Sequence, residues 1–440
     1  MKQTDIQTMD PIPSPAHEKR ITPDKVKRFL INNLVTILFV ILCAVGLRLS
    51  GLSMAFYLND IVSRFARNSF LVLALIIPVM AGMGLNFAIV LGAMAGQGAI
   101  IFVTHWGIAG MNGILLSVLI CTPIAILLGW MTGRLLNRAR GKEMITSLIL
   151  GFFANGVYQL IFLIMVGSPL IPMKNEVLVL SSGVGLRSTI DLSGGLRYAI
   201  DDVIRTPFPQ FVMYLSLIGA LYLVSVIIRM RSGKVMVQQY SKKRLITLFL
   251  LLLAAMIWGL ITSLSVSMIN SVRVPAFTMI IIAVLCLFNI FIVKTKLGQD
   301  FRTVGQDQHI AEVSGINVSR TRVLAIVMST LLAAWGQIIF LQNLGAFSTY
   351  GSHEQVGMFA SAAILIGGAS VSKATVGHAI LGTILFHTLF IVSPLAGRNL
   401  FGDAQLGEYF RSFVAYGVIG VALGLHAWKK LIQAKNQKKV

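Results

Sequence analysis

Charge is absent from long stretches of this chain, and those stretches alternate with short basic ones. Runs free of Asp, Glu, Lys and Arg cover Phe29–Leu47, Asn68–Gly133, Met144–Met173, Thr206–Ile228 and Leu245–Val272. Others cover Val274–Val293, Val323–His353, Gln355–Ser372, Ala374–Gly397 and Ser412–Trp428. A charged side chain at mid-bilayer costs about 2.5–3.5 kcal/mol even on a lenient insertion scale, so such runs mark membrane. Most suit one helix of about 20 residues, whereas Asn68–Gly133 is expected to hold three segments. The pattern predicts an all-α polytopic membrane protein with about ten to twelve transmembrane helices, some of them half-spans.

Composition agrees. Of 440 residues, 56% are hydrophobic and 12% charged. That charged share is about half of the usual quarter and excludes an ordinary soluble enzyme and a disordered chain. The formal charge is +21, and 26 of the 37 Lys and Arg residues fall in five stretches. These are the first 30 residues, Arg134–Lys142, Arg229–Arg244, Lys294–Arg322 and the tail from Lys429. An even number of spans puts all five on one side, and the excess of positive charge makes that side cytoplasmic, with both termini inside. This topological reading displaces nucleic acid as the reason for the charge.

The expected organisation is a cytoplasmic tail at 1–28, a transmembrane domain at 29–428 and a basic cytoplasmic tail at 429–440. No cleavable signal precedes the first apolar run, which is read as a retained span. The external loop 167–205 is long enough for a small cap or docking surface, or serves as a solvated connector. The cysteines Cys43, Cys121 and Cys286 each lie in an apolar run and read as small core residues.

Two apolar runs are interrupted in corresponding halves, at Met80-AGMGLNF-AIVLGAMAGQGAIIF and at Ala363-ILIGGASVSKATVGHAILGTILF. In lipid, a broken helix is tolerated only where its backbone is buried or lines a cavity, and paired breaks point to a solute path. Gly84, Asn86, Gly367 and Gly368 at the breaks are therefore candidate pathway residues. Gly92, Ala95, Gly96 and Gly98 read instead as close helix packing. Asn155, Tyr158 and Gln159 recur on one helix face, and they either line a path or bond a neighbouring helix. Gln337 and Gln342 follow the same logic. His378 and His387 are nine residues apart and do not share a face.

No catalytic or metal-ligating cluster is visible, and no phosphate-binding GxxxxGK[ST] loop; Ser232-Gly233-Lys234 is a chance fragment of one. No predicted span holds an Asp, Glu or Arg away from its ends, which argues against proton or ion coupling and suits an uncharged solute. The chain reads as a transport path without its own engine.

The segment VKTKLGQDFRTVGQDQHIAEVSGINVSRTRV, from Val293, crosses the basic face between two spans. Gln308–Ser314 is expected to form a short helix that Gly315 stops. Thr295, Gly298, Gly305, Ala311, Gly315, Ile316 and Val318 fall on a pattern that resembles the permease subunits of ribose, nucleoside and branched-chain amino acid ABC importers. GMGLNFAIVLGAMAGQGA, Gly141-KEMITSLIL and Ile366-GGAS resemble other motifs of that family, and Gly141-KEMITSLIL points to the nucleoside and simple-sugar branch. The chain departs from the pattern at Asp307-Gln308, where the family has Asn-Pro, and at Gly151-Phe152. The span Leu245–Ile261 is additional to a ten-helix plan.

The resemblance implies that 294–322 holds a coupling segment that meets a cytoplasmic ATPase through Gln308, Ala311, Glu312, Ser314, Gly315, Ile316 and Val318, with Glu312 the chief contact. It implies two ATP-binding subunits carrying ATP and Mg, a second permease subunit, identical or paralogous, and an extracytoplasmic solute-binding protein facing 167–205 and Gln342–Gln355. No cofactor is expected on this chain. A nucleoside or a simple sugar such as a pentose is the expected solute. The competing reading is a stand-alone secondary transporter with broken-helix repeats.

Overall fold

The computed structural model describes residues 33–231, except 174, 176 and 177, and residues 242–424, except 414, 415, 418, 422 and 423. Both tails and the Ser232–Lys234 fragment lie outside the described residues. The order is α1 Leu34–Ser50, α2 Met54–Ala74, α3 Ile76–Met80, α4 Ile89–His105, α5 Gly110–Arg138 and α6 Glu143–Leu160, which runs on as a π turn to Met165. Then follow β1 Thr189–Asp191, β2 Arg205–Pro207, α7 Phe208–Arg231, α8 Lys242–Leu264, β3 Arg273–Pro275 and α9 Ala276–Ile292. After these come α10 Lys296–Gln306, α11 Gln308–Val313, α12 Val318–Leu344, β4 Ala346–Ser348, α13 Glu354–Ile366 and α14 Val376–Phe401. A last helix, α15, begins at residue 404.

Among the described residues, seven helices are long and apolar enough to cross a membrane, α2 and α3 counting as one span. A bent pair, α9 with α10, adds an eighth if taken together, but α10 turns away by 71°. Three apolar helices, α1, α4 and α13, are shorter. Two of these three are the helices next to the breaks, so the half-spans of the sequence pattern are real elements. The stretch 68–133 does hold three segments, and Leu245–Leu264 is long enough to span. With its partner α7 it forms a hairpin beside the main bundle, in which Gly259 lets the α7 backbone at Pro209 approach.

Contacts between loops sort the helix ends onto two faces. On one face, β1 pairs antiparallel with β4 through Ile190 and Phe347, and β2 with β3 through Thr206 and Val274. The Gly110 amide donates to the Gly195 carbonyl at 2.7 Å, and Asn399 donates to the Leu49 carbonyl at 2.8 Å on the same face. On the other face, Arg140 pairs with Glu312 at 3.6 Å and Asn137 donates to the Ser319 carbonyl at 2.8 Å. The basic stretches 134–142 and 294–322 are therefore neighbours. Helix α1 starts on this basic face, and α15 sets out from the opposite one.

The segment 166–205 is a small folded cap rather than a solvated connector. Leu178, Val179, Leu186, Ile190, Leu192, Leu196 and Ile200 are all buried and continuous with the core of the bundle. Tyr350 ties it down by donating to the Leu186 carbonyl at 2.9 Å.

Helix α12 is the axis of the bundle. It is capped by Asn317, whose side chain accepts from the Arg320 amide, and by Gly345 at φ 80°. Small residues let its neighbours touch its backbone. A Cβ on Gly92 of α4 would lie 2.2 Å from the Thr330 carbonyl oxygen, and one on Gly96 would lie 2.3 Å from that of Ala334. Gly129 and Gly133 of α5 pack likewise against the backbone at Val327 and Val323. Such contact at three- and four-residue spacing is how helices associate in lipid, where no hydrophobic force distinguishes a helix from the solvent.

Sequence reading placed no charge inside a span, and this is corrected. Helix α2 begins at Met54, well before the charge-free run, and carries Asp60, Arg64 and Arg67 within its length. Arg322 is fully buried in the first turns of α12 and pairs with Glu143 at the start of α6. The two helices are thereby pinned at the basic face. Arg322→Met strands a mostly buried carboxylate and is expected to destabilise the protein by about 3–5 kcal/mol. The double variant Arg322→Met/Glu143→Leu is expected to recover most of that loss in thermal unfolding of the detergent-solubilised protein.

Candidate translocation path and coupling segment

The first break occupies residues 81–88. Gly82 and Gly84 take positive φ values of 72° and 70°, which side-chain-bearing residues avoid. The freed backbone finds partners: the Met83 amide donates to the Pro78 carbonyl, the Phe87 amide to the Ser147 hydroxyl at 3.2 Å, and the Ala88 amide to the Asn86 side-chain Oδ1 at 3.1 Å. Asn86 is buried, and its NH2 group has no partner among the described residues.

The second break follows α13. The Gly367 backbone lies against α14, where a Cβ would meet the His378 carbonyl oxygen at 1.9 Å. Gly368 reverses the chain at φ 98°, and Thr36 of α1 donates to the Ile366 carbonyl at 2.8 Å. The two breaks meet: a Cβ on Gly84 would touch Val371 at 3.0 Å and Met144 at 3.1 Å. Four of the sequence candidates, Gly84, Asn86, Gly367 and Gly368, thus belong to one region near the basic face.

Asn155 and Gln337 lie elsewhere, in a buried polar network towards the outer face. Gln97 of α4 donates to the Tyr158 hydroxyl at 2.9 Å and to the Thr349 carbonyl at 2.6 Å. Gln337 of α12 donates to Gln97 at 3.3 Å. His353 bonds Asn155 at 2.9 Å, and its ring lies 4.3 Å from that of Tyr158. These groups join α4, α6, α12 and the loop before α13. Gln159 is exposed and takes no part. The sequence reading missed Gln97 and His353. A glutamine between two glycines carries no charge and no periodicity, and His353 closes an apolar run rather than interrupting one.

Gln342 lies near the outer end of α12 and, with Asn343, donates to the buried Asp201 carboxylate at 3.0 and 2.5 Å; Thr278 donates to it as well at 2.5 Å. This ties the cap to α12 and α9. On the cap surface, the Ser193 amide and hydroxyl hold the exposed Asp191 carboxyl below its ordinary range. Beside the Asp201 cluster, a cavity of 560 Å³ opens between α2, the outer half of α13, α14 and α15. Arg64, Arg67, His387 and Arg411 line it together with Phe359 and Phe390. Charge-free runs could not reveal it, because its arginines come from the parts of α2 and α15 that such runs exclude.

The coupling segment is a helix-turn-helix on the basic face. Thr295 caps α10, and Asp307 caps α11 by accepting from the His309 and Ile310 amides at 2.8 and 3.1 Å. Aspartate fills this role as asparagine does, so the departure at Asp307 keeps the cap. Ala311 is buried against Val304, Val318 and Ile316, while Gly315 ends the turn at φ 80°. Gln308 is half-buried, whereas Glu312 and Ser314 are exposed, and so are the apolar side chains of Ile310 and Val313. Glu312 is paired within the chain, to Arg140. Gly305, in the last turn of α10, touches the first break directly: its Cβ would lie 2.2 Å from the Met80 carbonyl oxygen and 2.9 Å from the Gly82 nitrogen.

A family model described as the branched-chain amino acid transport system / permease component matches residues 57–423. Curated relatives include the xylose transport system permease protein XylH of Haemophilus influenzae, 29% identical over 40% of this chain and 44% of that protein. The nucleoside ABC transporter permease protein NupC of Lactococcus lactis is 26% identical over 36% of this chain and 47% of its own length. The probable ABC transporter permease protein YphD of Escherichia coli is 31% identical over 34% and 43%. The chain aligns with less than half the length of each. No solved structure matches. With its apolar helices and this match along most of its length, the chain is a multi-pass integral membrane protein of the bacterial plasma membrane and belongs to the ABC-type permease family.

Proposed function

We propose that this chain is the transmembrane subunit of an ATP-driven importer and carries a nucleoside or a simple sugar such as a pentose. It works beside a second permease subunit, a copy or a paralogue, above two cytoplasmic subunits that bind ATP and Mg. An extracytoplasmic binding protein docks on the cap at 167–205 and on the loop 345–353. The likeness to a xylose and a nucleoside permease supports the solute class.

The observation that carries the reading is the contact of Gly305 with Met80 and Gly82. It sets the helix that leads into α11 directly on the first break, with no side chain between. When ATP closes the ATPase pair, α11 moves with its partner. Its exposed Ile310 and Val313 supply the apolar contact, and the buried Ala311 fixes α11 to the chain. A backbone-to-backbone contact transmits that movement without the slack of a flexible side chain. The break at 81–88 shifts, and through Gly84 it shifts Val371 and the second break. In this reading both termini lie with the basic loops on the cytoplasmic side, an orientation that the excess of positive charge there supports.

Purification in mild detergent is expected to recover a P-loop ATPase in stoichiometric amount. A clean chain without ATPase that moves solute on an ion gradient would favour the secondary transporter instead. In the reconstituted importer, Ile310→Asp or Val313→Asp is expected to abolish ATPase association while leaving expression intact, because both side chains are exposed. Gly305→Ala is expected to retain the ATPase yet lower solute moved per ATP by about tenfold, the equivalent of roughly 1–3 kcal/mol of overpacking at the contact. Glu312→Arg is expected to weaken coupling by freeing α11 from the 139–142 loop, and Arg140→Glu in the same chain to restore it. An unchanged ratio of transport to ATP hydrolysis in both Gly305→Ala and Glu312→Arg would sink this mechanism. Asn86→Ala removes the unpaired donor together with the oxygen that accepts from the Ala88 amide, so it is expected to cost about 0.5–2 kcal/mol of stability, as loss of a helix cap does, and to reduce uptake.

A further inference from the structure

A groove of 770 Å³ runs between α4, α5 and α6. It extends along α5 from Ile124 to Arg138 and along α6 from Leu150 to Phe162. Its rim carries exposed apolar side chains, among them Met131, Phe153 and Val157, so it opens towards lipid. From Ile124 to Arg138 the rise of α5 is about 21 Å. Half of a bilayer of about 40–45 Å, headgroups included, has that depth. The groove therefore spans one leaflet, the one on the basic face.

Its two ends differ. At the basic face Arg134 and Arg138 line it, one turn apart on α5, and the Arg134 guanidinium lies 4.1 Å over the Trp130 ring. Neither arginine makes an ion pair or a hydrogen bond among the described residues. No carboxylate lines the groove, and the nearby acids Glu143 and Glu312 are already paired, with Arg322 and Arg140. The rest of the lining is apolar apart from Thr132 and Tyr158, whose hydroxyl already accepts from Gln97. A sugar or a nucleoside would find too few polar partners along such a wall. A second copy of this chain seated face to face on the groove would set these arginines against their equivalents. A phosphate fits their planar forks of donors, and an apolar chain fits the space beyond them.

We propose that this groove seats one anionic phospholipid from the leaflet on the basic face. Its phosphate lies between Arg134 and Arg138, its glycerol backbone beside Trp130, and an acyl chain fills the groove towards Phe162. Basic pockets between spans are suited to anionic headgroups. A zwitterionic lipid brings its own ammonium group and leaves the arginines without a net counter-charge. The site stands apart from the two breaks and the cap, and it does not depend on which solute the chain carries.

The test uses the full chain, delipidated in detergent and titrated with phosphatidylglycerol or with phosphatidylcholine of the same acyl chains. Native mass spectrometry counts the lipids retained, and the thermal midpoint is read in parallel. One phosphatidylglycerol is expected to be retained in preference to phosphatidylcholine by about thirtyfold, the worth of two basic residues at an anionic headgroup. Arg134→Gln/Arg138→Gln is expected to abolish that preference. Both side chains are exposed and strand no partner, so the double variant is expected to fold. Lys294→Gln/Lys296→Gln removes the same charge from exposed positions on the same face and is expected to keep the preference. Ala154→Phe narrows the groove from its α6 wall and is expected to lower phosphatidylglycerol occupancy with both arginines in place. Equal retention of the two lipids overturns the proposal. So does equal loss in the lysine variant, which would reduce the effect to general surface charge, or unchanged occupancy in Ala154→Phe. A lipid-free dimer that Ala154→Phe dissociates would give the groove to a second copy and overturn it as well.

Discussion

Everything in this fold follows from the need to satisfy backbone polar groups in the absence of water. A straight helix does so by itself, and a broken one cannot. The two breaks survive because other backbone closes over them. Residues 81–88 are covered by Gly305, Met144 and Ser147, and residues 367 and 368 by α14 and by Thr36 of α1. The same constraint explains why glycine stands wherever two chains cross. Gly382 brings α14 against the Ala363 carbonyl, as Gly92 and Gly96 bring α4 against α12, so the bundle is held by contact between main chains.

Polar side chains then divide by depth and by state of pairing. The Gln97, Tyr158 and Gln337 network is buried and bonds three helices together, which is a structural use of polarity. The Asp201 cluster fastens the cap and is likewise largely satisfied. Buried polar atoms without a partner are spread through the bundle, at Asn86 beside the inner break, at Arg322, Ser329 and Gln337 along α12, at Ser361 on α13, and at His387 and Arg411 towards the outer face.

Most of the architecture was legible in the sequence because membrane imposes so strong a filter. Ten charge-free runs located the apolar helices, and the basic stretches named the face on which the coupling segment lies. What escaped notice had physical reasons. Charge counting truncated α2 at Asn68 because Asp60, Arg64 and Arg67 face a cavity rather than lipid, and the rule assumes lipid. Glu312 was read as a contact for a partner, but nothing in a single sequence reveals that Arg140, more than 170 positions away, lies beside it. Gln159 shares a helix with Asn155 and Tyr158, yet α6 packs loosely and leaves that side chain outside. The paired breaks were found by their glycines, whereas their mutual contact through Gly84 and Val371 belongs to tertiary structure alone.

One helix joins the separate parts of the argument. The span of α2 and α3 carries Arg64 and Arg67 on the wall of the outer cavity and ends at Met80, against Gly305. From Arg67 to Gly82 is a distance of about 22 Å at the ordinary rise of an α-helix. The span is wedged against α12 by Gly336 and Leu71 and is interrupted at Leu75, between α2 and α3. The outer cavity and the inner break are thus joined by one stack of two helices, α2 and α3, held against α12.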